Sequence, residues 1–61
     1  MNRYDMARAV LNSEHTDGRT RDNAQKVILA DSIGIQVNRG VIEQVRNSYI
    51  KMAHNGKIIP V

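Results

Sequence analysis

This chain has no cysteine, no tryptophan and no phenylalanine, a single proline, and only two aromatic residues, Tyr4 and Tyr49. Without cysteine, neither a disulfide nor a thiolate-bound metal can brace it. Without large aromatics, the core has to be built from Val, Ile, Leu, Met and Ala. Two tyrosines so far apart provide no stacking platform for single-stranded RNA. No apolar run approaches the roughly 20 residues of a membrane span. The start, Met1-Asn2-Arg3-Tyr4-Asp5, leads into charged sequence rather than an apolar stretch, so neither a secretory leader nor a membrane association is expected, and the expected location is cytoplasmic. The glycines, Gly18, Gly34, Gly40 and Gly56, are isolated and form no phosphate-cradling loop. His15 and His54 lie far apart without HExxH or comparable spacing, so they read as surface or loop residues, and no metal or other cofactor is expected. Ser13-Glu14-His15 holds nucleophile, acid and base types, but neighbours in sequence rarely adopt a catalytic geometry. A chain of 61 residues also has little material for a closed pocket. The expectation is a protein that is not an enzyme.

What is present points to a single domain over residues 1–61, all-α, with three helices. The first is expected over residues 3–12, with Asn2 as its cap and Met6, Ala7, Val10 and Leu11 on one face. Asp17-Gly18 is a turn signal, and neither flank alternates as a hairpin would require, so a loop between helices is expected there. Thr20 is a good cap for a second helix over residues 21–33, with Asp22 in its first turn. Ala24, Val27 and Ile28 form its apolar face. Leu29 and Ile33 point to the other side, and Asp31 falls among apolar residues. Either this helix is buried on two sides, or it ends near Ala30. Gly34 supplies a left-handed stop in the first case.

The third helix, over residues 39–54, has the clearest pattern. Val41, Ile42, Val45, Tyr49, Met52 and Ala53 make one stripe, opposite Gly40, Glu43, Gln44, Asn47, Lys51 and His54. Asn38-Arg39 opens it and Asn55-Gly56 closes it. Ile33, Ile35 and Val37 also alternate with polar neighbours, which leaves a strand and turn across residues 33–45 as a competing local pattern. The helical pattern is longer and better capped. Leu11, Val27, Ile28, Ile42, Val45 and Tyr49 are the expected core. After Gly56 the tail turns extended, because Pro60 disfavours helix at Ile59.

The formal charge is +3 and the isoelectric point about 9.8, both compatible with a nucleic-acid partner. Six of the nine basic residues are arginine, a side chain suited to bidentate phosphate or guanine contacts. Ala30, Gly34 and Ile35 reproduce the small residue, the glycine four positions later and the hydrophobic residue of a helix-turn-helix. With two extra residues in the turn, Ile42 and Val45 fill the buried positions of its second helix. Over about Gln25 to Ala53 the chain resembles the helix-turn-helix of small phage and plasmid regulators, the Cro and repressor group among them. That resemblance implies a transcriptional regulator that binds double-stranded DNA as a dimer, its third helix reading the major groove.

The exposed side chains of that helix are then the candidate DNA contacts. Asn38 and Arg39 open it, with Arg39 suited to guanine. Gln44 and Asn47 suit adenine, and Arg46 and Lys51 are placed for phosphates. A small core and an apolar tail suggest association, with Met52, Ile58 and Ile59 expected at a homodimer contact. The same tail could instead fold back over its own core. The alternative to DNA is a host protein, with this chain as a small adaptor or inhibitor presenting an apolar face.

Overall fold

A computed structural model describes residues 2–58 of the chain. It contains α1 (Arg3–Leu11), α2 (Gly18–Ile33) and α3 (Arg39–His54), with no strand among the described residues. Each helix begins at a side chain that accepts from an otherwise unpaired N–H of its first turn. Asn2 Oδ1 accepts from the Asp5 N–H at 2.8 Å. Asn38 Oδ1 accepts from the Gly40 N–H at 2.7 Å. The second cap differs from expectation. Asp17, not Thr20, caps α2, its carboxylate accepting from the Thr20 N–H at 2.8 Å. A carboxylate at the positive end of the helix outdoes a neutral hydroxyl, so Asp17-Gly18 is a helix start rather than a loop turn.

The ends of α2 and α3 follow glycines. Gly34 takes φ +77°, and the Ile35 N–H donates back to the Ala30 carbonyl at 3.0 Å. Gly56 takes φ +73°, with the Lys57 N–H on the Met52 carbonyl at 2.8 Å. Both are six-to-one closures around a left-handed residue, which favours glycine. The second closure turns the chain inward, and Ile58 drops into the core at 9% exposure. Ile58 is expected from the sequence at a homodimer contact; in the single chain its side chain lies against its own core, the alternative that the sequence left open. Met52 is half-buried, with its sulfur 4.0 Å from Thr16 Oγ1. Ile59 lies outside the described residues.

The three helices pack pairwise and run up, down, up. Arg3, at the start of α1, donates twice to Asp31 Oδ1 near the end of α2, at 3.2 Å. Thr20, near the start of α2, meets Ser48 in the last half of α3 at 3.4 Å. At the other end Ala30, Val37 and Val41 line one groove. Contacts at both ends make α2 and α3 a side-by-side antiparallel pair. Asp31 therefore neither ends α2 nor sits in the core, since it pairs with Arg3 at the edge facing α1. Nor is α2 buried on two sides, because Leu29 and Ile33 are 60% and 61% exposed.

The core consists of Met6, Ala7, Val10, Ala24, Val27, Val45, Tyr49 and Ile58. Of the expected core, Val27, Val45 and Tyr49 are buried, while Leu11, Ile28 and Ile42 are half-buried around it. The centre is small because Ala7 and Ala24, both at 0% exposure, let helices approach closely, which leaves the longer side chains at the perimeter.

Val45→Ala should cost about 1–3 kcal/mol, whereas Leu29→Ala should change stability by no more than about 0.5 kcal/mol; thermal melts of the two variants check the assignment. The Asp17 carboxyl is held below its ordinary value of 3.8, chiefly by the backbone hydrogen bond from Thr20. A depressed folded value means that this cap stabilises fully above the unfolded value and is lost as pH falls through the folded one. Denaturant midpoints should drop on acidification below about pH 4, and Asp17→Asn, which keeps an accepting oxygen, should flatten that decline.

Candidate nucleic-acid interface

Charge is divided unevenly along the chain. Residues 1–38 hold five basic and five acidic side chains, whereas residues 39–61 hold four basic and one acidic, so the whole formal +3 belongs to α3 and the segment after it. Two of the acids in the first part are already engaged, Asp31 with Arg3 and Asp17 with the start of α2. The single acid on α3, Glu43, stands 3.8 Å from Arg39, and both side chains are well exposed. A pair so exposed gains little from its own attraction, which leaves Arg39 available.

Helical spacing sorts the outer face of α3 into two ridges. Arg39, Glu43, Arg46 and Ile50 follow one another at i, i+4, i+7 and i+11, all exposed. Gly40, Gln44, Asn47 and Lys51 form the second ridge, beside α2. The face thus carries arginines along one edge and Lys51 along the other, with Asn47 between them. On α2, Arg19, Asn23 and Lys26 share the ridge that borders α3, because Asn23 reaches across to it. Arg19 and Lys26 are exposed there and extend the Lys51 edge.

Two of the six expected DNA contacts are already used by the fold. Asn38 Oδ1 caps α3. Gln44, expected to pair with adenine, is half-buried between helices. Its Oε1 accepts from Asn23 Nδ2 at 2.9 Å, and its Nε2 donates to Thr20 Oγ1 at 2.8 Å and Ser48 Oγ at 3.1 Å. An amide with both ends engaged has no edge left for a base, so Gln44 is a structural residue. Arg39, Arg46, Asn47 and Lys51 stand exposed as expected.

Two features of this face were missed in the sequence. Ile50, 57% exposed, sits on the outer face, outside the apolar stripe of α3. Lys26 joins through the antiparallel pairing of α2 with α3, which no local pattern reveals. Among the described residues no three His, Asp or Glu side chains come close enough to hold a metal ion. Nor, among those residues, is any helix long and apolar enough to cross a membrane. Comparison with protein families, curated proteins and solved structures finds no match for this chain.

Removing the Gln44 amide strands Asn23 and Thr20 in the helix interface. Gln44→Ala should therefore destabilise the fold by about 1–2 kcal/mol, read as a lower denaturant midpoint, without altering preference for any base pair.

Proposed function

We propose that this chain is a small DNA-binding protein of the regulator type, which lays the outer face of α3 against duplex DNA. The observation that carries the reading is the partition of charge: the entire formal +3 falls on α3 and its extension, while the rest of the chain is neutral. Cations on both edges of one exposed helix face match the phosphates on either side of a groove. Arg39 and Arg46 serve one wall. Lys51, with Arg19 and Lys26 of α2, serves the other. Between them Asn47 is the group suited to adenine, and Ile50 suits a thymine methyl. With one amide and one apolar side chain facing the bases, affinity comes mainly from phosphates, and a single copy discriminates sequence weakly. A second copy would supply the second half-site that such proteins use to gain specificity. A cytoplasmic site of action accords with this partner.

Binding to random duplex should weaken steeply with salt. Five engaged cations correspond to a slope of log K against log salt near about −4.5. Lys51→Ala should reduce that slope by about 1 and weaken all sequences alike, whereas Asn47→Ala should relax preference at one base pair by about 1–3 kcal/mol. Fluorescence anisotropy across a salt series measures both. Failure to bind random or selected duplexes at low salt would remove the proposal.

A further inference from the structure

Among the described residues, three of the four large apolar side chains left more than half exposed lie together. Leu29 (60%) and Ile33 (61%) are one helical turn apart on the outer side of α2, and Ile35 (54%) follows the Gly34 turn. The bond from the Ile35 N–H to the Ala30 carbonyl folds Ile35 back against this end of α2. Beside them runs an apolar groove whose walls include Ala30, Val37 and Val41. Isolated exposed apolar residues are ordinary, but a ridge next to a groove marks a contact surface.

We propose that this surface is covered by a second copy of the chain, the same patch meeting itself across a two-fold axis. Charge selects this occupant. Each copy carries +3, all of it within residues 39–61, so two copies that met through α3 would repel. Leu29, Ile33 and Ile35 belong to residues 1–38, whose formal charge is zero. The neighbouring Asp31 is already paired with Arg3. Among the described residues Lys26 is the one charged residue lining the groove, so an acidic partner would be drawn rather to α3 and the segment after it, with their four cations. A stable dimer buries roughly 800 Å² per partner, about a fifth of the 4291 Å² exposed here, as an apolar centre with a polar rim. Leu29, Ile33 and Ile35 supply the centre, and the exposed Gln25, Ser32 and Gln36 supply the rim. The contact replaces the tail contact through Ile58, whose side chain serves its own core. It also leaves the outer face of α3 free, and for that consequence it rests on the DNA-binding reading.

Sedimentation without DNA tests the contact on its own. The full chain should shift toward twice the monomer mass as concentration rises. The double variant Leu29→Ser, Ile33→Ser should stay monomeric with unchanged helix content, since both side chains are exposed. Because the chain has no cysteine, Ile33→Cys gives a second readout. It should form an intermolecular disulfide under mild oxidation, whereas Ile50→Cys on α3 should not. A wild-type monomer at every concentration, a double variant that still dimerises, or faster crosslinking through Ile50→Cys would each overturn the proposal. The DNA-binding reading is judged separately, by anisotropy with the wild-type chain: a dimer that binds no duplex at low salt rejects that reading and leaves the dimer standing.

Discussion

The side-chain amide of Gln44 sets what α3 can present to a partner. It holds Thr20, Asn23 and Ser48 in one polar cluster between α2 and α3. A helix packed only through Val, Met and Tyr could roll about its axis at small cost, because apolar contacts are non-directional. Three hydrogen bonds with fixed geometry cannot follow such a roll. With Gln44 turned toward α2, Val45 and Tyr49 must face the core, and Arg39, Arg46 and Asn47 must face out. No buried side-chain N or O among the described residues lacks a hydrogen-bond partner, so the cluster adds direction without an unpaired polar group in the interior.

The fold divides its charge in the same way that it divides its packing. The acids of the first two helices serve local ends, Asp17 as a cap and Asp31 as the tie between α1 and α2. The bases of α3 have no comparable employment inside the molecule. The result is a neutral scaffold carrying one cationic helix.

What the sequence disclosed follows the range of the interactions involved. The bounds of α3, the cap at Asn2 and the left-handed stop at Gly34 depend on residues a few positions apart, and the pattern of residue types was sufficient to place them. The start of α2 was misread although it is also local, because Asp17 and Thr20 are both good caps and only the favourable charge of Asp17 decides between them. Legibility fails where the partner is distant. Gln44 looks like a surface amide until Asn23, 21 positions earlier, is brought beside it. Leu29 and Ile33 look like core residues until α1 and α3 are seen packed on the opposite side of α2. Ile58 could equally have reached into its own core or a neighbour's, and the turn at Gly56 directs it inward.

The central claim is that the location of charge on α3, and not the net charge of the chain, creates the interface. The most direct measurement compares duplex-DNA affinity at low salt for two double variants of equal net charge. One is Arg46→Glu, Lys51→Glu, on the outer face of α3. The other is Arg8→Glu, Arg21→Glu, on exposed positions of α1 and α2. The account predicts that the first pair abolishes binding while the second retains most of it. Equal losses in the two proteins would contradict it.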